Sequence, residues 1–177
     1  WSAIAVQLAG LDKADRGIAI AKKNIDDREA AKAIGGIAQI LETTGDAKKA
    51  CETARMQEEH YDQAETLLSV VDTLALKGET ADIPSIIGEA ETITNIVPQV
   101  SAKADLLIEI TKRRKEFGDV ATATATAEDA IAAILEIRDE SRRVTSLASL
   151  SSAVADISTL SESAQNGLVR LIAAAEA

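Results

Sequence analysis

The sequence is poor in aromatic residues, proline, cysteine and histidine. Of its 177 residues only Trp1, Tyr61 and Phe117 are aromatic, and there are two prolines, one cysteine and one histidine. An interior without large rings must be filled by Ala, Leu, Ile and Val, whose small size lets helix backbones approach closely. The 46% hydrophobic content is enough for a sizeable core. This composition favours an all-α protein over one with strands.

Positive charge is also scarce. The chain has 19 Lys and Arg residues against 29 Asp and Glu, a net charge of −10, whereas nucleic-acid binding needs clustered cations that displace counterions. We therefore expect no nucleic-acid partner. The one basic run, residues 112–115, is flanked by Glu109 and Glu116. Helical spacing predicts intrahelical ion pairs on a solvated face here, with a patch for an acidic partner as the alternative.

The lone Cys51 and the lone His60 limit the possible chemistry. A single cysteine cannot form an intramolecular disulfide, so the redox compartment stays open. We predict that Cys51, beside Ala50, is a small buried residue and not an activated nucleophile. One histidine cannot complete a Ser-His-Asp triad or a multi-His zinc site within the chain. The acidic residues around His60, in 58–62, are typical of a helix start and are better explained by capping than by metal binding. We expect no enzymatic activity, no cofactor and no metal.

No run of 18 or more uncharged apolar residues is present, so no membrane-spanning helix is expected. The sequence opens with Trp1 and not with Met, which is expected of a fragment or of a processed product. Extracellular and cytoplasmic locations both remain open.

A turn pattern recurs along the chain. The dipeptides Gly45-Asp46, Gly78-Glu79 and Gly118-Asp119 each follow an apolar stretch and precede a second one. The interval from Gly45 to Gly78, here called the period, is shorter than the interval from Gly78 to Gly118. Both lie in the range of about 20–50 residues that is typical of stacked repeats, and here they predict helix pairs. Lys13 takes the second place of the dipeptide one period before Asp46. Glycine can end the first helix in the left-handed conformation, and the acidic residue favours the N-terminus of the second helix.

Apolar and small residues recur in register with these turns. They lie before the turns at Ile37, Ala38 and Leu41, at Val70, Val71 and Leu74, and at Ile110, Thr111 and Arg114, and after them at Gly17 and Ala21, Ala50 and Ala54, Ile83 and Ile87, and Ala123 and Ala127. The i, i+4 spacing places each set on one helix face. The pattern predicts ten helices, at about 2–10, 13–24, 27–43, 46–57, 60–76, 80–94, 98–116, 119–136, 139–157 and 162–175. Pro98 is expected at a helix start and Pro84 in a first turn, and the alternating Ala and Thr of 121–127 are expected to be helical.

The residues Ala38, Leu41, Gly45-Asp46, Ala50 and Ala54 resemble a tetratricopeptide repeat. The resemblance covers nearly the whole chain, in units of about 1–26, 27–59, 60–97, 98–138 and 139–177, and it is strongest over 31–64. The family's large aromatics are replaced by Leu41 and Ala54, and its terminal proline is absent after Gln57. Related helical-hairpin solenoids such as HEAT repeats therefore stay open.

This resemblance implies one domain over residues 1–177, a right-handed α-solenoid of about five antiparallel helix hairpins. It also implies a concave groove, lined by the first helix of each pair, that binds a peptide or a protein. By position the groove residues would be Lys32, Gln39, Glu42, Glu65, Asp72, Asp105, Ile108, Lys112 and Lys115. Ordinary solvated side chains are the alternative for most of them.

Both ends of the sequence are apolar. The first charged residue is Asp12, and the last helix exposes few polar residues beyond Arg170 and Glu176. A helix that is apolar nearly all round is usually buried on more than one side, and a solenoid without polar end units leaves its terminal faces uncovered. The predicted self-interface comprises Trp1, Ile4, Ala5, Val6 and Leu8 at one end and Leu168, Val169, Leu171 and Ile172 at the other. Leu168, Leu171, Ile172 and Ala175 are expected to form the inward stripe of the last helix.

Contact between unlike ends is heterologous, and it gives a ring if the rotation closes and a filament or tube if it does not. The sequence thus predicts a non-enzymatic scaffold whose partner is protein, in particular other copies of itself. Two alternatives remain. The chain could be cut from a longer array whose other units cover its ends, or it could be a peptide-binding adaptor module.

Overall fold

Ten α-helices form the regular structure of the residues that the computed structural model describes, namely 1–24, 27–44, 46–154 and 162–175. They are α1 Ser2–Ala9, α2 Ala14–Asn24, α3 Asp27–Thr44, α4 Ala47–Ala54, α5 His60–Lys77, α6 Ile83–Thr94, α7 Val100–Glu116, α8 Val120–Glu136, α9 Glu140–Val154 and α10 Glu162–Ala175. The prediction of an all-α protein is confirmed for these residues, and the predicted boundaries fall close to the observed ones. The segment 121–127 is helical, as expected, and lies in the first half of α8.

The turn chemistry is confirmed at most of the predicted sites. Gly78 and Gly118 are left-handed, with φ of 73° and 80°, and the Gly78 N–H donates to the carbonyls that end α5. The carboxylates of Asp46 and Asp119 cap α4 and α8 by accepting the N–H groups of residues three positions on. Gly45 lies outside the described residues.

Three details of the turns differ from the prediction. Glu79 does not begin a helix, because α6 starts only at Ile83, with Pro84 in its first turn. Pro98 precedes α7, whose N-cap is Gln99. Asp12, which precedes Lys13, has a left-handed φ of 57° although it is not glycine. Aspartate tolerates this conformation because its short polar side chain can bond locally.

Contacts divide the chain into two compact units, residues 1–93 and 94–177. The prediction of one continuous domain with five repeats stays a prediction. In the first unit α1, α2 and α3 contact one another, and α3 contacts α4 and α5. Gly17 shows how closely the helices approach, since a Cβ built there would lie 2.4 Å from the carbonyl oxygen of Ala5. Any side chain at this position would force α1 and α2 apart.

The second unit has a core of small and branched aliphatic residues. Helices α7, α8 and α9 contact one another, and α10 packs on α8 and α9. The core consists of Ala104, Leu107, Ile108, Ala127, Ala130, Ile131, Ala133, Ile134, Ile137, Leu150 and Ala153. Leu168 of α10 packs against it, and a Cβ at Gly167 would lie 2.8 Å from Cγ2 of Ile131. As the composition predicts, aliphatic residues do the packing without aromatic rings.

Candidate protein-binding surfaces

Four of the five groove residues predicted in the first unit line one surface cavity of about 530 Å³. They are Lys32, Gln39, Glu42 and Glu65, which lie on α3 and α5. Both helices are amphipathic, and their apolar faces turn inward at Ile37 and Leu67. The polar faces therefore meet above the core and form the cavity walls.

Sequence reasoning missed the rest of this cavity, which is lined by Gly35, Gly36, Gln57, Asp62, Thr66 and Ser69. Gln57 is buried, and its Nε2 donates to Oγ1 of Thr66 at 3.0 Å. Helical spacing could have found Asp62 and Ser69, which lie on the same face of α5 as Glu65. Nothing in the spacing places Gln57, because it follows α4 and reaches the cavity only through the packing of α4 on α3 and α5.

The charge in the cavity is mainly acidic. Glu42 is largely buried and accepts a hydrogen bond from Oγ1 of Thr73 at 2.8 Å. Lys32 is the cationic member and pairs with Glu29 at 2.9 Å. A surface with this balance can accept hydrogen bonds from Lys, Arg or amide groups of a bound segment.

The remaining groove candidates are not brought together. Asp72 is exposed on α5 but does not line the cavity. In the second unit Asp105 accepts a hydrogen bond from Ser146 at 3.2 Å and pairs with Arg142 at 3.7 Å. Lys115 is half-buried on α7. The prediction for Ile108 is wrong, because its side chain is 2% exposed and belongs to the core.

The basic run of α7 forms the expected intrahelical ion pairs. Lys112 and Arg113 contact the two carboxylate oxygens of Glu109 at 2.6 and 2.9 Å. Burial acts to raise the pKa of Glu109, but the hydrogen bonds from Lys112 and Arg113 outweigh it, so the pKa of this carboxyl is lowered. Arg114 is buried and its Nη1 lies 3.4 Å from the capping Asp119.

Cys51 is one of the residues that line a second cavity of about 510 Å³ in the first unit. Burial raises the pKa of this thiol, although the charge of Arg55 opposes the shift. At 5% exposure Cys51 is a buried residue, as the sequence predicts. Its environment favours the neutral thiol over the thiolate that a nucleophile requires.

His60 is the first residue of α5, and its Nδ1 is buried without a hydrogen-bond partner among the described residues. Within the described part of the chain, no group of three or more His, Cys, Asp or Glu side chains is placed to bind a metal ion. In the same residues, no helix combines the length and the apolar character needed to cross a membrane.

The predicted self-interface of α1 divides into an outer and an inner part. Trp1 and Ile4 are 65% and 48% exposed. Leu8 and Val6 are half-buried, and Val6 lies against Gly36 of α3. Ala5 is fully buried, so its place in the self-interface is corrected. Ala5 faces inward because Gly17 of α2 packs on its backbone.

At the other end, Val169 and Ile172 of α10 are 64% and 50% exposed. The expectation that Ile172 faces inward is therefore wrong, because α10 turns Gly167 and Leu168 toward α8 and the core instead. The side chains of Leu171 and Ala175 lie outside the described residues. Exposed aliphatic side chains are thus present on both α1 and α10.

No protein-family model matches this chain, and no curated protein or solved structure matches it either.

Proposed function

We propose that this protein is a non-enzymatic helical-repeat scaffold that binds other protein surfaces and assembles end to end with further copies of itself. The observation that carries the proposal is a difference in burial between residues that occupy the same position in successive predicted repeats. Trp1 and Ile4 are exposed, whereas the residues one period later, Ile34 and Ile37, are 5% and 0% exposed. The same positions in α5, Leu67 and Val70, are fully buried.

This comparison assumes a repeat architecture, which is part of the proposal. We propose a solenoid of about five antiparallel, tetratricopeptide-like helix hairpins. The recurrence of left-handed residues supports this architecture. Asp12 lies two periods before Gly78, and Gly118 follows the first helix of the next predicted hairpin after Gly78. The predicted inward positions after each turn are all buried, at Gly17, Ala21, Ala50, Ala54, Ile83, Ile87, Ala123 and Ala127.

The packing of α3 indicates what covers such a face. A Cβ at Gly17 of α2 would lie 3.3 Å from Cδ1 of Ile37, so Ile37 reaches the second helix of the preceding pair. Ile4 is the equivalent of Ile37, and a helix lying on α1 as α2 lies on α3 would bury it. Full burial of such a side chain contributes roughly 1.5–3 kcal/mol. Other protein, in helical form, therefore suits this face.

Size-exclusion chromatography with multi-angle light scattering tests the proposal. We expect assemblies that grow with protein concentration, and a shift toward monomer in Ile4→Asp, because an unpaired charge is poorly tolerated in an apolar contact. Gln7→Asp is the matched control, since Gln7 is an exposed polar residue on the same helix. A wild-type chain that stays monomeric at every concentration would contradict self-assembly.

The cavity between α3 and α5 supports a second candidate, a peptide-binding adaptor module. Its acidic residues suit an extended peptide that carries Lys or Arg. Fluorescence anisotropy with labelled basic and acidic peptides tests this candidate. Saturable binding of the basic peptide that is weakened by Glu65→Lys, and unchanged by the distant Glu79→Lys, is the expected result. Equal binding of both peptides would reject the cavity as a peptide site.

A further inference from the structure

A buried carboxamide lies at the cavity between α3 and α5 with part of its hydrogen-bonding capacity unused. Gln57 is 7% exposed and lines this cavity, and its Nε2 donates to Oγ1 of Thr66 at 3.0 Å. The Thr66 hydroxyl carries a single hydrogen, which it donates to the backbone carbonyl of Asp62 at 2.8 Å. The more distant Oε1 of Gln57, at 3.4 Å from Oγ1, therefore receives no hydrogen from Thr66.

Among the described residues, Thr66 is the side chain that bonds this carboxamide. Oε1 of Gln57 is thus left as an acceptor and Nε2 keeps a second N–H, although buried side-chain polar atoms usually have partners. A buried polar group without its hydrogen bond destabilises a folded protein, unless a bound group supplies the missing partner. Gln57 consequently marks the part of the cavity that fits a ligand with both a donor and an acceptor.

Gly35 keeps the wall of the cavity open next to this carboxamide. A Cβ built on Gly35 would lie 3.6 Å from Nε2 of Gln57, an ordinary contact, so packing does not demand glycine here. The neighbouring Gly36 differs, because its Cβ would lie 3.0 Å from Cγ2 of Val6. Glycine within a helix is less stable than alanine. Its presence at position 35 therefore favours a role in leaving room for a bound group that approaches the α3 backbone closely.

The shape and charge of the cavity indicate an extended peptide as that group. From Lys32 to Glu42 the lining of α3 extends over roughly 15 Å at the helical rise, which matches about four or five residues of extended chain. Each peptide unit other than proline presents one N–H and one C=O, the complement of the unused groups on Gln57. Asp62 and Glu65 of α5 line the same cavity and carry negative charge for a basic side chain.

We infer that the carboxamide of Gln57 and the open backbone at Gly35 hold the main chain of a short extended peptide, while Asp62 and Glu65 hold its Lys or Arg side chain. The inference rests on the proposed peptide-binding function and specifies which residues contact which part of the peptide. Main-chain hydrogen bonds supply affinity for an extended segment, whereas side-chain contacts supply specificity. Loss of the carboxamide should therefore have a different signature from loss of the acidic residues.

Fluorescence anisotropy tests these two roles with a labelled peptide of about five residues, a central arginine flanked by alanines. Gln57→Met removes the carboxamide at nearly constant volume and leaves the bond from Thr66 to Asp62 in place. We expect about tenfold weaker binding, the contribution of one or two neutral hydrogen bonds, at low and at high salt alike. Glu65→Lys should also weaken binding, but its effect should shrink at high salt because it is electrostatic.

A peptide with N-methylated backbone amides tests the main-chain contact itself. N-methylation removes the N–H donors and keeps the arginine. It should weaken binding to the wild type about tenfold and binding to Gln57→Met much less, because a double-mutant cycle isolates the contact between the two groups. Equal losses for both proteins would overturn the assignment of Gln57 to the peptide main chain.

Gly35→Ala tests the open backbone. The matched control is Gly88→Ala of α6, because a Cβ there would also meet open space among the described residues. Both variants should be at least as stable as the wild type in thermal unfolding, but only Gly35→Ala should weaken peptide binding. Unchanged binding in Gly35→Ala would overturn the role of this position.

The outcomes separate this inference from the proposed function. Saturable binding that Glu65→Lys weakens, and that Gln57→Met and Gly35→Ala leave unchanged, would overturn the inference and leave peptide binding standing. Absence of saturable binding of any peptide would overturn both. Circular dichroism on each variant establishes that it is folded.

Discussion

The guanidinium group of Arg55 binds both carboxylate oxygens of Glu89, with Nε 2.6 Å from Oε1 and Nη2 2.7 Å from Oε2. Paired parallel bonds of this kind are geometrically specific, and here they connect the C-cap of α4 to α6. The hydrogen bonds from Arg55 lower the pKa of Glu89, and burial opposes the shift only in part. Both side chains are still partly exposed, so solvent screens their attraction.

We predict a coupling of about 0.5–1 kcal/mol between Arg55 and Glu89, in the range of well-formed surface pairs. Urea unfolding of Arg55→Ala, Glu89→Ala and the double variant measures it as a double-mutant cycle. Because the pKa of Glu89 is lowered on folding, the coupling should be complete above the unfolded-state pKa of about 4.3 and decline as the pH falls through the folded-state value. A coupling that stays constant from pH 7 to pH 3 would contradict this ion pair.

Gly17 and Gly35 are both helical glycines, and alanine should affect them in opposite directions. Gly17→Ala places a methyl group 2.4 Å from the backbone of Ala5 and should destabilise the protein by about 1–3 kcal/mol through overpacking. At Gly35 the nearest atom to the new Cβ is Nε2 of Gln57 at 3.6 Å, an ordinary contact. Gly35→Ala should therefore be neutral or stabilise by up to about 1 kcal/mol. Thermal unfolding measures both, and equal effects would show that the approach of α1 and α2 is not as close as described.

Substitutions at the left-handed residues Gly78 and Asp12 should change the stability of the protein in opposite directions. Gly78→Ala should destabilise by about 1 kcal/mol, because a Cβ is disfavoured at its φ of 73°. Asp12→Gly should instead stabilise slightly, since it relieves the same strain at φ 57°. Chemical denaturation measures both changes. Loss of stability in Asp12→Gly would mean that the aspartate side chain stabilises the folded protein by more than its backbone strain destabilises it.

Asp119 caps α8 through the backbone N–H and the hydroxyl of Thr122, at 3.2 and 2.7 Å. Asp119→Ala should cost about 0.5–2 kcal/mol, whereas Asp119→Asn should retain most of the stability, because asparagine caps nearly as well. The hydrogen bond from Thr122 is the main cause of the lowered pKa of Asp119. The contribution of the carboxylate is thus present above an unfolded-state pKa of about 3.9 and lost as the pH falls through the lower folded-state value. Denaturation of the three proteins at pH 7 and pH 3 checks both statements, and an alanine variant as stable as the wild type would reject the cap.

Local sequence rules predicted the helices well because each rule concerns residues close together in the chain. Gly78, Gly118 and Asp119 have the predicted roles, since helix ends are decided within a few residues. The errors occur where distant packing decides. Ile108 lies beside the polar Glu109, yet its rotation about the α7 axis points it into the core. Sequence spacing predicts where a residue lies on its helix, but it does not predict which neighbouring helix packs on that residue.

The candidate surfaces likewise combine features that local sequence rules predict with features that distant packing decides. Lys32, Gln39, Glu42 and Glu65 of α3 and α5 line one cavity, but the longer groove that the repeat resemblance implies stays a prediction. Gln57 was missed because a buried amide in a connecting segment has no periodicity. Asp12 was missed because left-handed backbone was expected only at glycine. Each of these features depends on the three-dimensional arrangement of helices and not on a repeating pattern.

The alanines enclosed in the interior have a consequence for mutational tolerance. Where Ala5, Ala50, Ala54, Ala64 and Ala123 are fully enclosed, there is almost nothing to truncate, and deletion of side-chain atoms has little scope to create voids. Enlargement is the harmful direction, because one added methylene at a helix crossing pushes two backbones apart. At these alanine positions, random variation should therefore be limited more by residues that grow than by residues that shrink.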